Sequence, residues 1–203
     1  MDPKSKVTGG CDEPTGEDRP QRADAVRNRA RILDAAEVVF ASEGIEAPVD
    51  VIAEKAGVGV GTLYRHFPTK EKLCEAILLE RLRDLTEDAR AQADAKDPAA
   101  AFFGFLDHFV LMGEAKRDLI AAVMGAGLEF EVSAAPVKQD LREAVGVLLR
   151  RAQDAAAVRA DVTPDVVLSL VGATCQAAGH SDSSAACDLL SIVCDGLRPQ
   201  ATG

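Results

Sequence analysis

From about Ala23 almost to its end, the chain repeats apolar residues every three to four positions, and nowhere do Val, Ile, Tyr and Thr alternate with polar residues as in a strand. The pattern predicts helices and no sheet, an all-α protein. Ile32, Leu33, Ala36, Val39 and Phe40 fall on one face of a first helix that begins near Ala23 and that Gly44 ends. Between Asp50 and Lys72 the punctuation becomes dense. Ile52, Ala53 and Ala56 form the buried stripe of a short helix, and Gly57-Val58-Gly59 follows. Gly57 has no Cβ to clash and takes the left-handed conformation that ends a helix, while Val58 plugs the space between this helix and the next. A second short helix runs from about Val60 to Phe67 with Leu63 and Phe67 inward. A spacing of about 100° per residue then turns Gly61, Thr62, Tyr64 and Arg65 outward. Pro68 stops this helix and Thr69 caps the next. Two helices joined by so tight a turn predict a helix-turn-helix, whose second helix enters the major groove of DNA.

Beyond it the apolar period continues. Leu73, Ile77, Leu78, Leu82 and Leu85 stripe a long helix from Thr69 to roughly Ala95, and Asp97-Pro98 starts another. Phe102, Phe105, Leu106, Phe109 and Met112 then share a face. Gly125-Ala126-Gly127 breaks the pattern, and the stretch from Ser133 to Pro136 breaks it again before a helix over about 137–158. Thr163-Pro164-Asp165 combines a cap, a first-turn proline and an acid, so a helix starts there. Val167, Val171, Thr174, Cys175 and Ala178 make its apolar face, with Gly172, Ala173 and Ala177 on a second, small-residue face. After a turn at Gly179-His180-Ser181-Asp182, a last helix over about 184–197 carries Ala186, Leu189, Leu190, Val193 and Cys194.

Composition narrows the function classes. No run of about 18 apolar residues is present, so nothing is expected to span a membrane. Residues 1–20 are rich in Gly, Pro, Asp, Glu and Thr, have no apolar core of a secretory signal, and are expected to be disordered. Five cysteines (Cys11, Cys74, Cys175, Cys187, Cys194) without a CxxC pair fit reduced thiols in a cytoplasmic protein. No HxxxH, HExxH or Cys/His spacing suits a metal. No GxSxG, P-loop or other nucleophile-and-base set supports catalysis, so neither an enzyme nor a cofactor is expected.

The net charge of −10 argues against DNA until it is divided along the chain. Residues 1–18 carry two lysines against five acids, residues 19–72 nine cations against eight acids, and residues 73–203 twelve against twenty. The helix-turn-helix region is the one part that is not acidic, and Arg19, Arg22, Arg27, Arg29 and Arg31 gather at its leading edge. Arg29 and its neighbours there would anchor phosphate without reading sequence; a solvated charged face is the plainer alternative.

The segment AGVGVGTLYRHFPTKEKL, with ARILDAAEVVFASEG upstream, resembles the DNA-binding signature of the tetracycline-repressor-like (TetR) family of bacterial regulators over about 50 contiguous residues. Two positions depart from the pattern: Gly59 stands where a Ser or Thr often follows Ala-Gly-Val, and Pro48 where one usually opens the preceding helix. Each removes a hydroxyl that would reach phosphate. The resemblance implies a three-helix DNA-binding head over 21–68 and a helical ligand-binding and dimerisation body over 69–198. It makes Val60 a base-edge position and places Thr62, Tyr64, His66 and Lys70 mostly at phosphates. Arg65 has the fork that suits guanine O6 and N7, and Gly61 lets the backbone approach.

The same resemblance implies a small, mostly apolar effector in a pocket, with Phe102, Phe105, Phe109, Met112 and Met124 as candidate lining; ordinary core packing remains the alternative for the Phe cluster. It also implies a homodimer through the last two helices, with Val167, Val171, Cys175, Leu189, Leu190 and Val193 as candidate contacts. The expected function is a ligand-responsive repressor of a palindromic operator. An interaction protein with a degenerate head, and a regulator without a small-molecule ligand, stand beside it.

Overall fold

The structure, a computed structural model, describes residues 18–115, 119, 128–178 and 183–199. Among them there are helices and no strand. The first is α1 (Asp18–Glu43), followed by α2 (Val49–Ala56) and α3 (Val60–His66). A long α4 (Lys70–Ala91) runs into a 3-10 turn (Gln92–Asp94). The remainder comprises α5 (Pro98–Ala115), α6 (Leu128–Asp154), α7 (Pro164–Ala178) and α8 (Ser183–Leu197).

The caps explain most of the boundaries. Gly44 at φ +81° and Gly57 at φ +62° take the left-handed conformation that closes α1 and α2. At the second, the Gly57 N–H donates to Glu54 O at 2.9 Å and the Val58 N–H to Ala53 O at 3.0 Å, the paired bonds of a Schellman cap. The Thr69 hydroxyl accepts from the Lys72 N–H, and the Asp97 carboxylate accepts from the Ala100 N–H at 3.0 Å. Thr163 caps α7 in the same way.

Three boundaries differ from expectation. α1 starts at Asp18 rather than Ala23, because Pro20 falls in its first turn, where a missing N–H costs nothing. α6 runs through Ser133 to Pro136 without a break. Pro136 offers no N–H to the Val132 carbonyl one turn back, and Val132 lies on the exposed side of the helix. Phe130 and Ala134 on one side of the proline, and Leu141 and Ala144 on the other, are all buried and hold the helix together. At its far end α6 stops at Asp154, short of Val158, because Ala156 turns left-handed at φ +53°. Gly125 to Gly127, and the turn expected at 179–182, lie outside the described residues.

Two apolar clusters organise the packing. One joins Ile32, Ala36, Ile52 and Leu63 of α1 to α3 with Leu73 and Ile77 of α4, and also with Phe130 and Ala134 of α6. The other gathers Leu85 and Ala89 of α4 with the buried faces of α5, α6, α7 and α8. α6 lies along α4 and thereby belongs to both clusters, while α5 packs against α6, α7 and α8. Arg81 of α4 pairs with Glu37 of α1, its Nε donating at 2.7 Å. Between α4 and α6 the Glu75 carboxylate accepts from Ser133 Oγ at 2.5 Å and from Lys72 Nζ at 2.9 Å. Burial pushes the Glu75 carboxyl up, but these two hydrogen bonds and the Lys72 charge outweigh it and hold it below the usual carboxylate range.

Candidate nucleic-acid interface

The recognition surface is built from the inside out. Leu63 and Phe67 are buried in the head cluster, which fixes the rotation of α3 about its axis. The opposite face then stands in solvent: Val60 is 37% and Tyr64 46% exposed, and Gly61 and Arg65 are exposed beside them. Nothing lies within 4 Å of where a Cβ on Gly61 would stand, so a duplex can come up to its backbone. Among the described residues Arg65 has no ion-pair partner, which leaves its fork available to a base edge or a phosphate.

The flanking candidates are held more firmly. Lys70 is half-buried with its Nζ 5.9 Å from the Phe40 ring centre, and Arg29 lies 5.5 Å over the Phe67 ring. His66 and Thr62 are half-buried, the His66 ring tilted against Phe67. Arg29 and Lys70 therefore flank α3, Thr62 and His66 lie half-buried within it, and Val60, Gly61, Tyr64 and Arg65 project from it.

Arg31 was grouped with the leading-edge arginines but has a more particular place. Its guanidinium donates to Gly57 O at 3.3 Å and tethers the turn between α2 and α3 to α1. A Cβ on Gly57 would sit 2.5 Å from that guanidinium, the movable end of a long side chain, so it is the left-handed φ rather than space that calls for glycine in the turn. Nothing in the spacing of α1 announces this contact, because it depends on how α1 crosses the turn.

The residues expected to line an effector pocket divide. Phe102 and Phe105 have no surface that a water molecule could touch, so they are packed core and line no cavity. Phe102 meets Phe103 edge-on at 5.3 Å, and Phe105 meets Phe109 at 6.1 Å. The cause is that α5 is covered by three helices, which consumes a broad apolar face. Met112 is half-buried against the same core, and Met124 lies outside the described residues. Phe109 lines a groove of about 460 Å³ between α4, α5, α6 and α7, floored by Leu82, Leu141 and Leu168. Lys138, Arg142 and Asp165 stand around it; sequence reasoning took Asp165 only as a helix-start acid and passed over Lys138 and Arg142, because exposed charges on a helix carry no pattern.

The expected dimer contacts also divide. Val167, Val171 and Leu190 are buried within the chain's own core and have nothing left to offer a second copy. Cys175 is packed at Gly113, where a Cβ would stand 2.5 Å from its Sγ, and so belongs to the α5–α7 contact. Leu189 and Val193 are half-buried. The exposed apolar residues are different ones: Val166, Leu170, Ala173 and Ala177 form a stripe along α7, and Ile192 on α8 is 68% exposed. The stripe's i, i+4, i+7 and i+11 spacing was present in the sequence, one helical face away from the one chosen.

Among the described residues no group of three His, Cys, Asp or Glu is placed to hold a metal, and no helix is long and apolar enough to cross a membrane. Burial raises the Cys74 thiol to about 11, and also raises Cys194. Cys11 lies outside the described residues.

Comparison with known proteins agrees with this geometry. Residues 32–77 match the family described as bacterial regulatory proteins, tetR family, and residues 97–199 match the C-terminal domain described as transcriptional regulator SbtR-like. A TetR transcription regulatory protein from Mycobacterium vanbaalenii is 39% identical, with a TM-score of 0.67 over 89% of this chain and 100% of its own. A TetR transcriptional regulator from Streptomyces coelicolor is 33% identical, with a TM-score of 0.65 over 85% and 99%. The HTH-type transcriptional regulator UidR of Escherichia coli is 29% identical over 71% of this chain and 74% of its own length. With an exposed recognition helix on a packed head, a helical body behind it and both halves matched, the chain belongs to the TetR family of DNA-binding, non-enzymatic transcriptional regulators.

Proposed function

We propose that the protein is a homodimeric, ligand-responsive repressor that binds an inverted-repeat operator in the bacterial cytoplasm. The observation that carries this reading is the free face of α3: Val60, Gly61, Tyr64 and Arg65 project together from a helix whose other side is locked into the head. Two copies join through the exposed stripe of α7 and Ile192 of α8, with Val166, Leu170 and Ile192 at the contact and Leu189 and Val193 at its edge. That arrangement sets two recognition helices apart by a fixed distance, which must match half-sites about one helical turn, roughly 34–36 Å, or a multiple apart. A small molecule in the groove beside Phe109 favours a different spacing and so releases DNA by linkage. α4 transmits the change, because it contributes to both apolar clusters and is paired to α1 through Arg81 and Glu37.

A mobility-shift titration of the full chain against the DNA upstream of its own gene tests the reading. Binding to an inverted repeat should weaken steeply and log-linearly as salt rises, as phosphate contacts release counterions. A chain that binds scrambled DNA as tightly as the repeat would remove the operator from the proposal.

A further inference from the structure

Arg27, Arg29 and Arg31 sit close together on α1 but have quite different partners. Arg27 is spent on Asp24, one turn away on the same helix. Arg29 and Arg31 reach α3 instead, and they reach it at opposite ends. Two positions apart, they leave α1 about 200° apart around its axis. Arg29 lies 5.5 Å over the ring of Phe67, the residue that closes α3. Arg31 donates to Gly57 O at 3.3 Å, two residues before Gly59, from which α3 starts. We infer that Arg29 and Arg31 are positioning residues for DNA recognition: they brace α3 from both ends and set the tilt at which Val60, Gly61, Tyr64 and Arg65 meet the base edges. The inference deepens the operator-binding reading above and rests on it for the claim about sequence preference.

α3 needs a brace because little of it is held by burial. It has seven residues, and Leu63 is the buried one. Phe67, buried one turn later, secures the C-terminal half, and Arg29 covers its ring. The N-terminal half has no such support. Gly59, Val60 and Gly61 are exposed, and nothing lies within 4 Å of where a Cβ on either glycine would stand. Ahead of them only Val58 packs on the head cluster, between two glycines that give the turn little stiffness of its own. The Arg31 tether therefore acts where α3 is least constrained. α1 is a firm base for it, since Ile32, Leu33, Ala36 and Val39 are buried in the same cluster.

The tether contributes little to the fold, because Arg31 is exposed and the contact is a single hydrogen bond at the surface. Base reading is more demanding. A side chain that reads a base edge must be held within about 0.5 Å and 10–20° of its productive geometry. A loosened α3 should thus lose preference among sequences before it loses stability.

Mobility shifts and amide hydrogen exchange on the full chain test the brace. Arg31→Ala should lower the affinity ratio between the upstream inverted repeat and a scrambled duplex about tenfold. Binding to the scrambled duplex and its salt slope should not change, and the thermal midpoint should stay within about 2 °C. Arg31→Lys, which keeps a donor able to approach Gly57 O, should recover most of the ratio. Arg29→Ala should lower the ratio less, because Phe67 stays buried. Without DNA, Arg31→Ala should speed exchange of the Val58 and Thr62 N–H groups, which bond to Ala53 O and Gly59 O, and leave Ile77 in α4 unchanged. Equal losses on both duplexes with a salt slope reduced by about one would make Arg31 a phosphate contact and overturn the inference. An unchanged ratio overturns it too, whatever the midpoint does, as does exchange at Val58 and Thr62 equal to that of the unaltered chain. If the unaltered chain shows no preference for the repeat, the operator reading fails, and the exchange rates still decide whether Arg31 holds the turn.

Discussion

Arg65 and Lys70 are both cations at the DNA-facing end of the head, and they should fail differently. Arg65 projects from α3 without a partner among the described residues, so Arg65→Ala should cost about 1–3 kcal/mol of operator binding and relax preference at one base position per half-site. Lys70, held over the Phe40 ring beside α3, should weaken all sequences alike when changed to Ala and reduce the salt slope by about one. Mobility shifts on single-base operator variants at two salt concentrations distinguish them; equal losses on every sequence from both changes would end the base-reading role of Arg65. At this scale the sequence was readable wherever a residue's role follows from its place on one helix. Leu63 inward and Arg65 outward follow from the period alone. Arg31 was not readable as the tether of Gly57, because that contact belongs to two elements far apart in the chain.

Helix ends were readable where glycine, proline or a capping side chain marks them, as at Gly57, Thr69 and Thr163. The end of α6 has no such mark. Ala155-Ala156-Ala157 reads as continuing helix, yet the Ala157 N–H donates to Ala152 O and the Ala156 N–H to Gln153 O, each at 2.9 Å, the same Schellman bonds that close α2. Here the left-handed position holds alanine, at a strain of about 1–2 kcal/mol. Glycine in its place relieves that strain but gives the unfolded chain more freedom. Ala156→Gly should therefore raise stability by up to about 1 kcal/mol, read as a later midpoint in urea with an unchanged slope. A lower midpoint would mean that the turn is not strained. The opposite misreading at Pro136 has the same origin: propensity marks a break, and burial on both sides of it decides otherwise.

For the whole molecule, the division between self-packing and partner-packing decides which substitutions separate copies and which unfold them. Leu170→Glu and Ile192→Glu place a charge on residues exposed in the single chain, so each should yield a folded monomer with a helical spectrum intact. Leu190→Glu buries an uncompensated carboxylate in the core and should cost several kcal/mol of stability instead. Light scattering with circular dichroism separates the outcomes; a dimer that survives both surface changes would exclude these stripes as the interface. Which face of α7 looks inward was not readable, since both its faces are apolar and the choice rests on where α5 lies.

The head cluster has a consequence for anyone who would transplant this protein's DNA specificity. The residues proposed to meet DNA end at Lys70, yet the apolar cluster supporting them continues through Leu73 and Ile77 and takes in Phe130 and Ala134 from α6. The portable cassette is thus discontinuous in sequence. A hybrid regulator spliced at residue 68 would seat a foreign head on a cradle shaped for this one. It would need compatible side chains at 73, 77, 130 and 134 before its operator preference could be expressed through the new body.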